Sequence, residues 1–170
     1  METWNIDISH SEIGFKVKHL MITNVKGKFN DFSGNINVEE NRIKSIKLKI
    51  KTNSIDTNEP QRDMHLKSAD FFDVENNKEI KFIANLDDEV EELDNIEGDL
   101  TIKGITNKVK LAVNYNGKMK DPWGNEKIGF SVEGKINRKD WELNWNKALE
   151  TGGVLVGDEI KISGEVQLMK

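Results

Sequence analysis

The stretch Ser45-Ile46-Lys47-Leu48-Lys49-Ile50-Lys51 decides the fold, because apolar and charged side chains alternate along its last six residues without a break. Successive side chains of an extended strand point to opposite faces, so Ile46, Leu48 and Ile50 face a dry interior while Lys47, Lys49 and Lys51 face water. The same period of two recurs outward from this segment in both directions. It appears in Ile13, Phe15 and Val17, then in Ile96, Gly98, Leu100 and Ile102, then in Val109, Leu111, Val113 and Tyr115. It returns in Ile128, Phe130, Val132, Gly134 and Ile136, and finally in Ile160, Ile162, Gly164, Val166 and Leu168. With residues 34–38 and 79–86 the total is about eight strands, the number at which a closed barrel has an interior for its own side chains or for one small ligand.

Turn-forming residues separate these runs at 39–42, 76–78, 116–117 and 121–125. Most connections are too short for a crossover helix, so the expected fold is all-β, an antiparallel barrel with one or two short helices. Exposed strand lysines act against edge-to-edge pairing between molecules. Two segments break the alternation. Residues 19–26 are compatible with one or two helical turns, and 58–69 is expected to be a helix with Asn58 as N-cap and Pro60 in the first turn. On that helix Arg62, His65, Leu66 and Ala69 share a face. Residues 88–94 are expected to form a solvated acidic hairpin tip.

A chain of 170 residues, 36% hydrophobic and 32% charged, is expected to fold as one domain over 1–170. The net charge of −5 is spread along the whole length, which excludes the basic stripe of a nucleic-acid binder and the clustered lysines of an anionic-membrane binder. Cysteine is absent, and with it disulfides, thiol nucleophiles and thiolate metal sites. Residues 1–10 carry no apolar run, so neither a secretory signal nor a membrane span is expected there, and the chain is expected in the cytoplasm. A chain trimmed of a signal and destined for the periplasm would look the same.

Several stretches, taken together, resemble the YceI-like family of polyisoprenoid-binding proteins. They are His10-Ser11-Glu12-Ile13-Gly14-Phe15-Lys16-Val17-Lys18-His19-Leu20, Val25-Lys26-Gly27-Lys28-Phe29 and Ser54-Ile55-Asp56-Thr57. The central match is Arg62-Asp63-Met64-His65-Leu66-Lys67-Ser68-Ala69-Asp70-Phe71-Phe72-Asp73. Leu100-Thr101-Ile102-Lys103-Gly104, Arg138-Lys139-Asp140-Trp141 and Gly157-Asp158-Glu159 extend the likeness over nearly the full length. The resemblance implies an extended lipocalin-like barrel whose channel takes an isoprenoid tail, with the polar head near the mouth. Many relatives carry a secretory signal, and this sequence departs from them there.

Inward positions supply candidates for the tail channel: Phe15, Val17, Leu20, Phe29, Leu48, Ile50, Leu66, Phe82, Leu100, Leu111, Phe130, Ile136, Trp141 and Ile160. Each could equally be ordinary core packing. For the head group the candidates are Arg62, Asp63, His65, His19 and Trp145, since an arginine fork grips phosphate at two points. The competing role for Arg62 is an ion pair with Asp63 or Asp70. Trp141 and Trp145 suit either a pocket mouth or a plug, and residues 151–157 either a lid or a glycine turn.

His10, His19 and His65 show no metal-ligand spacing, and His10 is explained as a turn residue bonding to backbone. No Gly-x-Ser-x-Gly elbow, phosphate loop or His-Glu-x-x-His is present, and no catalytic residue or cofactor is expected beyond a bound polyisoprenoid or isoprenoid quinone-like lipid. The expected function is non-catalytic carriage, storage or sensing of such a lipid. The alternatives are a structural or stress-response homodimer without a fixed ligand, a hydrolase built on a Ser, His and Asp constellation, and a metal-binding protein.

Overall fold

A computed structural model describes all 170 residues. The strands are β1 Glu2–Ile6, β2 Glu12–His19, β3 Thr23–Phe29, β4 Phe32–Glu39, β5 Arg42–Lys51 and β6 Ile55–Asp56, followed by the helix α1 Pro60–Lys67. Then come β7 Glu79–Glu89, β8 Asn95–Ile102, β9 Ile105–Lys120, β10 Glu126–Asn137 and β11 Val156–Met169. Every pairing is antiparallel, and the order β1-β4-β5-β7-β8-β9-β10-β11 is closed by pairing of β11 with β1. β11 also pairs with β2, from which β3 and β6 continue.

Three of the staves are broken. β1 and β2 both run against β11 and are interrupted at residues 7–11; β3 and β4 are separated at Asn30 and Asp31; β5 and β6 are separated by the turn Thr52–Ser54. Joining each broken pair reduces the eleven strands to the eight staves expected for a barrel of this bore. The breaks clasp one another, with the amide of Asn30 bonding the Ser54 carbonyl at 3.1 Å and that of Lys51 bonding the Asp31 carbonyl at 2.9 Å. No ladder joins β6 to β7, and α1 follows β6 directly into that part of the wall.

The structure corrects three expectations about local form. Residues 19–26 are not helical: β2 continues to His19, Leu20 and Met21 turn with φ of 53° and 63°, and β3 begins at Thr23. Thr23, Val25, Gly27 and Phe29 alternate with polar residues there, a period of two that the apolar run Leu20-Met21-Ile22 obscures. The helix spans Pro60–Lys67, and its N-cap is Glu59, whose carboxylate accepts from the Gln61 amide at 3.0 Å; Asn58 lies outside with φ of 66°. The acidic tip at 88–94 is not wholly solvated either, because Val90 and Leu93 tuck into the barrel end.

That end buries Trp4, Ile43, Ile128 and Leu168, each nearly inaccessible. Burial of apolar side chains of this size stabilises by roughly 1.5–3 kcal/mol apiece. The break between β1 and β2 is fastened by Asp7, whose carboxylate accepts from Lys127 Nζ at 2.8 Å, Ser9 Oγ at 2.7 Å and Gln167 Nε2 at 3.4 Å, with His10 Nδ1 at 2.9 Å. His10 therefore bonds a side chain, and it is Ser11 that bonds backbone, through both the amide and the carbonyl of Gln167.

The Lys127 and Ser9 hydrogen bonds outweigh burial and hold the Asp7 carboxyl far below the usual carboxylate range. A depressed folded-state value means stability that is present above the unfolded value near pH 4 and lost as pH falls further. Asp7→Asn is expected to lower unfolding free energy by about 2 kcal/mol near neutral pH. In urea titrations the gap from the unaltered protein should shrink steadily below about pH 4; a gap independent of pH would show that Asp7 does not hold the break through its charge.

Candidate ligand-binding cavity

Toward α1 the barrel is not filled. A cavity of about 320 Å³ lies between the upper halves of the staves, α1 and the segment before β11, and 24 of its 31 lining residues are hydrophobic. Its size falls at the lower bound of small-molecule pockets, which run from about 300 to 1,000 Å³. Alternation builds its walls: Phe15 and Val17 from β2, Leu48 and Ile50 from β5, Phe82 from β7, Leu100 from β8, Leu111 from β9, Ile136 from β10 and Ile160 from β11. Phe29 of β3 and Leu66 of α1 complete the expected lining residues.

Three of the expected tail residues lie elsewhere. Phe130 lines a second, lower cavity of about 140 Å³. Leu20 sits on the β2–β3 turn, 40% exposed, because the chain reverses at that residue. Trp141 is a wall stone: only 1% exposed, it donates Nε1–H to the Leu100 carbonyl at 2.9 Å and lies outside the lining.

Four of the five expected head-group residues, His19, Arg62, His65 and Trp145, line the cavity, joined by Thr57 and Arg138. Arg62 donates from Nε to Thr57 Oγ1 and from Nη2 to the Thr57 carbonyl, both at 2.8 Å. It makes neither of the ion pairs anticipated, since Asp63 accepts from the Thr57 amide at 2.9 Å and hydroxyl at 2.5 Å, and Asp70 engages His65 Nε2 at 2.8 Å. Asp63 is outside the lining and acts through Thr57, turning that hydroxyl so that its lone pair meets Arg62. Arg62 has no carboxylate within ion-pair distance; the Asp63 carboxylate reaches it only through the Thr57 hydroxyl that both bond, at the edge of an apolar chamber. His65 stands edge-on to Trp145, 4.6 Å between ring centres, and to Phe71 at 5.1 Å, which gives that side of the cavity a rigid aromatic face.

Sequence reasoning missed Arg138, Phe71, Phe72, Leu143, Leu155 and Val156. Phe71 and Phe72 lie outside any strand, where alternation has nothing to say. Arg138 is buried, 2% exposed, and burial lowers its pKa against the opposing pull of Asp158. Its guanidinium donates to the carbonyls of Leu143, of Trp145 at 2.9 Å and of Gly157 at 2.9 Å, and approaches Asp158 at 3.6 Å. It thereby ties the irregular segment 142–157 to the barrel wall. Within that segment Gly152 and Gly153, with φ of 89° and 87°, form a hairpin turn closed by the Ala148–Val154 bridge, in keeping with the turn reading of 151–157.

No group of three or more His, Cys, Asp or Glu side chains converges. Ser9, His10 and Asp7 do cluster, but Ser9 Oγ and the Asp7 carboxylate both meet the same ring nitrogen, Nδ1. A proton relay needs the acid and the nucleophile on opposite nitrogens of the imidazole.

An antiparallel eight-stave barrel closed around an apolar chamber defines a lipocalin-like class of ligand-binding fold. Within that class the chain belongs to the YceI-like family: the YceI-like domain matches residues 4–168. A UPF0312 protein of Staphylococcus epidermidis is 41% identical over 170 residues, 98% of this chain and 97% of its own. The solved YceI protein of Campylobacter jejuni shares 33% identity and superposes with a TM-score of 0.75 over 96% of this chain and 95% of its own. A polyisoprenoid-binding domain of Saccharophagus degradans, implicated in plant cell wall breakdown, superposes with a TM-score of 0.71 over 97% of each chain at 13% identity, a likeness of fold.

Arg138→Lys is expected to lower stability by about 2 kcal/mol, since one ammonium cannot replace a planar fork among several carbonyls. Hydrogen exchange should rise across 142–157 and stay unchanged in β4 and β5. Uniform exchange with unaltered stability would contradict the clamp.

Proposed function

We propose that the protein binds a long-chain polyisoprenoid, or an isoprenoid quinone-like lipid, inside the barrel without transforming it. The observation that carries this reading is the pairing of an unfilled apolar chamber with an arginine at its edge that makes no direct contact with a carboxylate. A tail that removes about 400 Å² of apolar surface from water gains roughly 10 kcal/mol before the costs of ordering, so affinity needs few polar contacts. The tail lies against the inward faces of β2, β5, β7, β9 and β11. The head lies among Arg62, His65, His19 and Trp145. Two guanidinium nitrogens are held by Thr57, which fixes the fork while leaving the Nη1 donors for an anionic head group such as a phosphate. The polyisoprenoid-binding description of the Saccharophagus degradans neighbour points to the same class of ligand.

Titration with a polyprenyl phosphate and the matching alcohol tests this directly. Arg62→Ala is expected to weaken the phosphate about tenfold, near 1.4 kcal/mol, and the alcohol by no more than about threefold. Equal losses would remove Arg62 from the head-group role. Phe15→Asp, which places a charge in the chamber wall, should weaken both ligands at least tenfold while the far-ultraviolet spectrum of the barrel persists. Undiminished binding by that variant would place the lipid outside the barrel.

A further inference from the structure

The upper cavity of about 320 Å³ and the lower one of about 140 Å³ share five lining side chains: Ile13, Leu48, Phe82, Leu111 and Ile162. These come from five of the eight staves, β2, β5, β7, β9 and β11, and together they form a partition across the tube. On β8 and β10 the inward residues between the two cavities are Gly98 and Gly134. The Phe82 ring lies on Gly98 so closely that an added Cβ would come within 2.6 Å of it, and Leu111 lies on Gly134 with the corresponding distance 2.5 Å. Both partition side chains therefore recline on wall positions left bare by glycine.

Gly164 of β11, which lines the lower cavity, is of a different kind. A Cβ there would meet nothing closer than 3.5 Å, and its nearest side-chain neighbours are Val132 at 3.8 Å and Val166 at 3.9 Å. Neither backbone conformation nor crowding demands glycine at this position. The lower void exists in part because residue 164 has no side chain, and an unfilled apolar void is destabilising unless something occupies it.

We propose that the two cavities are halves of one ligand tunnel, that the five-residue partition is its gate, and that Gly164 sets the length of tail admitted. This rests on the lipid-binding reading above. The upper chamber alone sits at the floor of the size range for small-molecule sites, and opening the partition enlarges the space by nearly half. The partition is built of side chains alone, and aliphatic side chains such as Leu111 and Ile162 move between staggered wells without any break in the strand ladders that carry them. A short tail stays above the gate. A long one passes through it.

The test compares farnesol with solanesol, a short and a long all-trans prenyl alcohol, by titration. Gly164→Leu fills the lower chamber and is expected to leave farnesol affinity within about twofold while weakening solanesol at least tenfold. Val132→Leu intrudes into the same chamber from β10 and should shift the ratio in the same direction, which covers the case in which Gly164→Leu fails to fold. Phe82→Ala, which opens the gate, should shift the ratio toward solanesol. Binding of both alcohols with a ratio unchanged by the chamber-filling variants would overturn the gated tunnel and leave lipid binding standing. Failure of the unaltered protein to bind either alcohol would overturn the lipid reading itself, and the tunnel with it.

Discussion

Closing eight staves into a ring fixes the bore of the tube before any side chain is chosen, and the rest of this protein is a response to that bore. One end is largely closed from within: Trp4, Ile43, Ile128 and Leu168 are buried there, and Val90 and Leu93 fold in from the turn after β7, leaving a void of about 140 Å³. At the other end no ladder joins β6 to β7, and α1 with the segment before β11 supplies side chains to the lining of the larger chamber. The same alternation of apolar and polar residues thus lines both the smaller void below and the larger apolar chamber above.

The larger chamber spans the breaks in the staves, since Ile50 and Ile55, on either side of the turn 52–54, both line it. Residues 7–11, 30–31 and 52–54 interrupt the ladder, and the backbone bonds of Asn30 and Lys51, together with the Asp7 cluster, close the gaps that the breaks would leave. At two of the breaks the amides of Asn30 and Lys51 find carbonyls on the neighbouring break, so those donors stay paired. The polar groups that matter for the chamber are held in the same economical way. Asp63 orients Thr57, Thr57 holds Arg62, and Arg138 ties down the far rim through the carbonyls of 143, 145 and 157.

Much of the barrel was legible in the sequence because alternation is a local signal, and β5, with its lysines outside and isoleucines inside, states it without ambiguity. It faded where a strand is short, as in β1, or where an apolar turn precedes it, as Leu20-Met21-Ile22 precedes β3. The chamber walls could be named for the same reason the strands could. What could not be read was which inward residues meet empty space and which meet one another: Phe130 and Phe82 have the same pattern around them, and only the ring of eight staves places one beside the lower void and the other across the gate. Arg62 stood out by motif, whereas its anchoring by Thr57 and the role of Arg138 depend on contacts between segments with no shared periodicity.

The central claim is that the upper barrel is a chamber for hydrocarbon and not an unfilled patch of core. Native mass spectrometry of the delipidated protein mixed with excess polyprenyl phosphate measures this most directly. The account predicts an adduct that saturates at one lipid per chain and survives dilution; a spectrum that shows only the bare polypeptide, or adducts that grow in number with lipid concentration, would contradict it.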